Sequence, residues 1–378
     1  MGNWGWLAFA IILGGCAPTQ RRVDADISRT KAFCVDFNWG VGGVNGFAPP
    51  GMWADADPAR HVAWYAALGA NVIQTFAVSC NGYAWYKSGK VPSQPGLKYD
   101  FLREVVRLGH DRGMLVMGYF CISANTRWGA EHPHQTYGTP SAHHLPFTDE
   151  YLDYLGMAID DAFRTTGIDG TMIDWVWCPT DEVRQKQNRG KWLDAEKRLY
   201  LQLTGKPFPG EDRLTPAERL AYERLAIDRC WGRIRAAAKR AKPDCVLWFS
   251  CNKVQDPTVA NSSLFREIDW LMNEAPDLEA LGRTRGMVGP GARIVQCVVG
   301  WGDRHDARAV VTDPAWSGLD LYGFAKPGPD SLPLPVAEYL GKPIDAFRGN
   351  DRNIAVLARF FNGRTVERAT PPGNKSGT

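Results

Sequence analysis

This chain of 378 residues is defined first by what it lacks. No Cys-x-x-Cys pair occurs among its 9 cysteines, so a cysteine-built zinc site of the usual spacing is not encoded. No glycine-rich phosphate fingerprint follows the first strand-like run, which removes the main support for a doubly wound nucleotide-binding sheet. Charge of either sign is not in excess: Lys+Arg 44 against Asp+Glu 41 gives a net +3, and nothing points to a nucleic-acid partner. The apolar run "WLAFAIILGGC" (6–16) is too short to cross a bilayer as a stable helix.

That run ends in Leu13-Gly14-Gly15-Cys16, which resembles the lipobox of bacterial lipoproteins. In those proteins the signal is cleaved ahead of the cysteine and the thiol is lipidated. Lys and Arg are absent before the run; Arg21 and Arg22 follow it. The expected organisation is a lipoprotein signal over 1–16 with Cys16 as the lipidation site and a flexible tether over 17–30. A single catalytic domain would follow over 31–365, and then a disordered tail over 366–378. The chain would be exported and anchored to a membrane by its lipid, in the periplasm or at the cell surface. A plain signal peptide or an uncleaved anchor would also export it. Eight cysteines remain without Cys16, an even count that suggests disulfides in an exported protein. Yet Cys34, Cys121, Cys245 and Cys297 fall inside apolar strand-like runs, where a thiol behaves as a small hydrophobe, so mostly free buried thiols are expected.

What is abundant is tryptophan, 15 residues of it. Indole faces pack well against the CH groups of sugar rings, although a Trp-heavy core is the plainer explanation. The rest of the pattern alternates. Near-continuous apolar runs at 32–39, 71–78, 114–121, 170–177, 245–251, 268–274, 293–301 and 318–324 read as parallel strands covered on both faces. Helical stretches separate them. One opens at Pro58 and closes at Gly69, one runs to Gly113, and one is capped by Thr148 and ends at Gly167. A longer one opens on Thr215 with Glu218 three residues on, a capping box. Shorter helices follow in "DARAVVTDPAW" and "NDRNIAVLARFF". Eight such units predict an α/β fold of the (β/α)8 TIM-barrel type. Long loops after strands three (122–147) and four (178–215) would leave the face where barrels build their sites.

The acids follow that geometry. "TGIDGTMIDWVW" (166–177) carries Asp169 at the start of strand four and Asp174 near its top. The base acid is expected to serve a turn or helix terminus, the top acid to face the cavity. "IDGTMID" (168–174) and "IDWLMNE" (268–274) share the pattern Ile-Asp-x-x-Met-x-acid. Alternate strands feed one layer of a barrel, so Asp174 and Glu274 are candidates to face a shared cleft. Two opposed carboxyls are what glycosidic bond cleavage needs, one protonating the leaving oxygen and the other attacking the anomeric carbon or activating water. Capping of the next helix is the structural alternative for either. Asp36, Asp181 and Glu182 compete as acids.

At these residues the chain resembles the α-L-fucosidase-like, retaining glycoside hydrolases and the hypothetical barrel hydrolases around them. The resemblance covers roughly residues 32–325. It is carried by "HVAWYAALGANVIQTFAVSCNGYAWY" (61–86), "KYDFLREVVRLGHDRGMLVMGYF" (98–120), "HLPFTDEYLDYL" (144–155) and "DGTMIDW" (169–175). It implies that Asp174 is the nucleophile, while Glu274 as acid/base rests on the register argument. Asn38-Trp39 stands where fucosidases carry a His-Trp pair, so the resemblance speaks for sugar hydrolysis more than for fucose. The implied partner is an oligo- or polysaccharide, with no cofactor.

Substrate-binding candidates at strand ends are Asn38, Trp39, Trp85, Tyr119, Asn125, Trp175, Trp177, Asn252, Asn273 and Trp301. Amides are apt because they both donate to and accept from sugar hydroxyls. Lys253 and Lys326 lie past strand ends and could meet an acidic group on a glycan or solvent. The loop "EHPHQTYGTPSAHHLPF" (131–147) holds four of the 7 histidines. His132 and His134 are spaced as in some metal sites, but nothing completes such a site, so substrate contact or loop structure is expected of them. The alternatives kept open are a decayed barrel that binds glycan without cleaving it and a metal-dependent hydrolase using this loop.

Overall fold

The computed structural model describes residues 27–40, 47–138, 144–251, 254–260, 262–274, 278–300, 306–316 and 318–368. The expected signal segment with Cys16, most of the tether, Asn252, Lys253, Trp301 and residues 369–378 lie outside the described residues.

Eight parallel strands close into a barrel in sequence order. They are β1 (Lys31–Val35), β2 (Val72–Val78), β3 (Leu115–Cys121), β4 (Gly170–Asp174), β5 (Val246–Cys251), β6 (Trp270–Asn273), β7 (Arg293–Val299) and β8 (Asp320–Ala325). The helices are α1 (Pro58–Leu68), α2 (Phe101–His110), α3 (Thr126–Glu131), α4 (Asp149–Thr166), α5 (Asp181–Asn188) and α6 (Asp194–Thr204). They continue with α7 (Pro216–Ala241), α8 (Leu264–Glu267), α9 (Leu278–Met287), α10 (Ala307–Thr312), α11 (Val336–Gly341) and α12 (Gly349–Phe361). This is the (β/α)8 barrel that the alternating pattern predicts. The eight cysteines Cys34, Cys80, Cys121, Cys178, Cys230, Cys245, Cys251 and Cys297 are free, all but Cys251 fully buried. No helix among the described residues is long and apolar enough to cross a membrane.

The local signals act where they stand in sequence. Thr148 accepts from the Tyr151 N–H at the start of α4, and Gly167 ends that helix at φ 76°, a left-handed value that costs glycine little. Thr215 and Glu218 form a complete capping box on α7, a device worth about 1 kcal/mol. The stretches after β3 and β4 are less open than the sequence suggested: α3 folds inside the first, and α5 and α6 inside the second. A buried ion pair holds the second together. Arg184 Nη2 donates to Glu196 Oε1 at 2.8 Å, with Tyr137 and Tyr222 hydroxyls on the same carboxylate and the guanidinium 4.1 Å from the Trp192 ring.

Strands β1 and β4 stop well short of their apolar runs. Strand β1 ends at Val35 rather than 39, and β4 at Asp174 rather than 177. At β4 the cause is visible: Trp175 takes φ 61°, so the chain turns off the ladder directly after Asp174. The aromatic residues Trp39, Trp175 and Trp177 therefore sit above the barrel rim instead of extending its strands.

Register sets the heights. Ile173 pairs with Phe249 and Phe249 with Leu271, which brings Asp174 opposite Met272 along the hydrogen-bond direction. A barrel of shear 8 over eight strands rises by about one residue per strand relative to that direction. Two strands on, the residue level with Asp174 is thus Glu274 rather than Met272.

Candidate active site

A cavity of about 600 Å³ opens at the C-terminal ends of the strands. Asp36, Asp174 and Glu274 enter it from the ends of β1, β4 and β6, and Trp39, Trp175 and Trp177 border it. Its floor is closed by Gln74 and Tyr322, whose hydroxyl donates to Gln74 Oε1 at 2.6 Å. The Gln74 Nε2 is buried with no hydrogen-bond partner.

Asp174 is tightly held. The Tyr119 hydroxyl donates to its Oδ2 at 2.9 Å, and the Trp175 N–H donates to its Oδ1 at 2.8 Å. Burial, then the charge of Glu274, push its carboxyl up to about 7, against the pull of those two donors. Glu274 accepts from the Ser250 hydroxyl at 3.1 Å. Asp36 is also pushed up to about 7 by burial, opposed by the Asn38 N–H, the Trp39 side chain and the charge of Lys326. Several carboxyls in one partly dry cavity cannot all ionise cheaply, which is why Asp174 holds its proton more tightly than an ordinary carboxylate.

The other candidates divide into two groups. Asn38, Trp39, Tyr119, Trp175 and Trp177 line the cavity. Asn38 is fixed there by the Cys80 N–H, which donates to its Oδ1 at 2.9 Å. Asn273 does not line it: its neighbours Met272 and Glu274 face inward, and strand alternation turns Asn273 to the helix side, where its Nδ2 donates to Gln296 Oε1 at 2.8 Å.

Four further candidates do not line the cavity. Trp85 is core, 1% exposed, stacked on Phe37 at 4.3 Å with its indole N–H on Ser79. Asn125 is the N-cap of α3, accepting from the Trp128 N–H at 2.8 Å, and a side chain at Gly82 would collide with it. His132 lies flat on Trp128 at 3.9 Å, with Nδ1 2.8 Å from the Trp128 carbonyl and Nε2 3.4 Å from Glu150. His134 is exposed beside Gln135. Among the described residues no group of three or more His, Cys, Asp or Glu is placed to hold a metal. Asp181 is 66% exposed and pairs with Arg219 away from the cavity.

Sequence reasoning missed Glu223. It lies on α7, more than 40 positions after β4, and reaches the cavity from the side, with its carboxyl pushed up to about 7 by burial against Arg184 and Arg219. One glutamate on a long amphipathic helix carries no local signal. Only the fold of the β4–β5 insertion brings it in.

Comparison with known proteins places this geometry. Residues 57–175, which end one position after Asp174, match a family described as hypothetical glycosyl hydrolase 6. No protein of curated function matches the chain. Among solved structures, α-L-fucosidase isoenzyme 2 from Paenibacillus thiaminolyticus is similar at a TM-score of 0.62 and 14% identity, over 89% of this chain and 49% of that one. A β-galactosidase from Bacillus circulans sp. alkalophilus is similar at 0.52 and 13%, over 90% and 57%. A β-N-acetylhexosaminidase is similar at 0.51 and 12%, over 87% and 71%. The chain spans about half the length of the fucosidase it resembles. At these identities the structural likeness establishes a shared barrel fold, and the family match adds a glycosyl-hydrolase signature over β2 to β4.

Proposed function

We propose that this protein is a glycoside hydrolase, α-L-fucosidase-like in its frame, that cleaves a glycosidic bond in an extracellular glycan. The observation that carries the reading is that Asp174 and Glu274, from strands two apart, meet in one Trp-bordered cavity at the barrel mouth. Asp174 is the nucleophile. Its two donors, the Tyr119 hydroxyl and the Trp175 N–H, favour its anion, so in the substrate complex Asp174 acts as the carboxylate and Glu274 as the acid. Glu274 then protonates the leaving oxygen as the bond to the anomeric carbon breaks, and later takes a proton from the water that releases the sugar.

The retaining course follows from the fucosidase-like resemblance. It corresponds to carboxyls about 5–5.5 Å apart in the substrate complex, against about 6.5–9.5 Å for inversion. The test is a panel of aryl glycosides and plant and algal glycans, with product anomers read by NMR. Asp174→Asn should lower turnover by about a thousandfold or more while the protein stays folded. Unchanged turnover sinks the reading. Export with lipidation at Cys16 is part of this proposal; palmitate labelling that persists in Cys16→Ser refutes it.

A further inference from the structure

The cavity is lopsided. Its inner part is built by barrel strands, around Asp36, Asp174 and Glu274 above the Gln74–Tyr322 floor. Its outer part comes from residues further beyond the strand ends: Asn38 and Trp39 after β1 and, in greater number on the β4–β5 side, Trp177, Thr180, Glu223, Thr258 and Val259. The two parts are also electrically distinct. The charges acting on Asp174 are those of Glu274 and Asp36. Those acting on Glu223 are Arg184, Arg219, Glu196 and Asp181, all in the insertion or on α7.

We propose that this outer part is a second sugar subsite on the leaving-group side, with Glu223 as its anchoring acceptor, so that the substrate is an oligosaccharide with a further sugar beyond the cleaved bond. The inference rests on the glycan-cleaving reading of the inner part. A sugar reached by Asp174 meets a closed floor, so a chain attached to it has only the outward direction, and the wall beside that exit has the chemistry of a sugar site. Trp177 is half-buried and offers an indole face to a ring. Thr180 Oγ1 already accepts from the Val183 N–H, which leaves its own hydroxyl proton to give. Glu223 stands in the cavity wall as an acceptor for vicinal hydroxyls, and its backbone is fixed: its carbonyl accepts from the Cys178 thiol, and the buried Arg184–Glu196 pair braces the helix beside it. A rigid acceptor, a free hydroxyl donor and an aromatic face around one space are what holds a pyranose in place.

The test uses binding, so it does not depend on turnover. In the Asp174→Asn protein, titration calorimetry compares one-, two- and three-unit members of the fuco-, galacto- and N-acetylglucosamine series. The proposal predicts that affinity rises about tenfold or more from one unit to two. In Asp174→Asn/Glu223→Gln that gain shrinks to about twofold, and Trp177→Ala in the same background shrinks it independently. A gain that survives both substitutions, or no dependence on length in any series, overturns the proposal. The hydrolase reading fails separately: a length-dependent gain lost with Glu223 but no turnover by the unmutated protein keeps the subsite and removes the catalysis. Turnover without length dependence does the reverse.

Discussion

Two aspartates stand at opposite ends of β4, and the barrel treats them in opposite ways. At the base, Asp169 is 3% exposed yet fully answered: His110 Nε2 lies 2.8 Å and the Val116 N–H 2.9 Å from its Oδ2, and Lys242 Nζ lies 3.1 Å from its Oδ1. Burial would raise its carboxyl, but these partners outweigh burial and hold it below the usual range. At the top, Asp174 has two neutral donors and a neighbouring carboxylate, and is pushed up to about 7. The base arrangement repeats on β6, where Asp269 Oδ2 takes Lys239 Nζ at 3.2 Å and the Leu247 N–H at 2.9 Å. Lys239 on helix α7 and Lys242, the residue that caps its C-terminus, thus serve the bases of β6 and β4. The lower acids tie strands to helices. At the top, Asp174 meets neutral donors and a second carboxylate, and its carboxyl is raised for that reason.

Substitutions separate the two ends. The largest effect is expected at the top: Asp174→Asn removes turnover yet raises unfolding stability at pH 8, by on the order of 1–2 kcal/mol, because it deletes a costly buried charge. The base behaves in reverse. Asp169→Asn strands His110 and Lys242 and should cost roughly 3–5 kcal/mol in denaturant unfolding, with kcat of the folded protein within a few-fold of normal. A loss of kcat at Asp169 matching that at Asp174 would erase the distinction. Tyr119→Phe takes one donor from Asp174, the proposed nucleophile, and kcat should fall about tenfold with the Tm nearly unchanged.

The pH dependence has opposite signs at the two ends. The folded value of Asp169 is depressed, so its stabilisation is complete above about 3.9 and is lost as pH falls through the folded value. That of Asp174 is raised to about 7. The folded protein keeps a proton there that the unfolded chain has released, so this contribution declines as pH rises from about 4 to about 7 and is flat above. Asp174→Asn should remove the upper decline and leave the acid limb in place. An unchanged upper profile would mean that another group, such as Asp36, produces it.

The barrel and the Asp174–Glu274 pairing were legible in sequence for one reason. Strand periodicity and the repeated Ile-Asp-x-x-Met motif both report position along a strand, and a barrel converts that position into height. Contacts made by loops were not legible. His132 and Asn125 look like ligands in a string of polar residues, but one stacks on Trp128 and the other caps α3, choices made by neighbours four and three positions away. Trp85 could not be told from a rim tryptophan, because whether an indole after a strand folds inward or over the mouth depends on Phe37 and Ser79, far off in the chain or across a turn. Glu223 depends on how an entire insertion folds back, through the buried Arg184–Glu196 pair.

The most direct test is carboxyl-carbon NMR of aspartate-labelled protein, titrated with and without Glu274→Gln. The account predicts that Asp174 titrates near 7 and moves down once the Glu274 charge is gone, while Asp169 in the same spectra titrates below 3.8 and does not respond. An Asp174 signal titrating in the ordinary carboxylate range and indifferent to Glu274 would contradict the shared cleft on which the proposed chemistry depends.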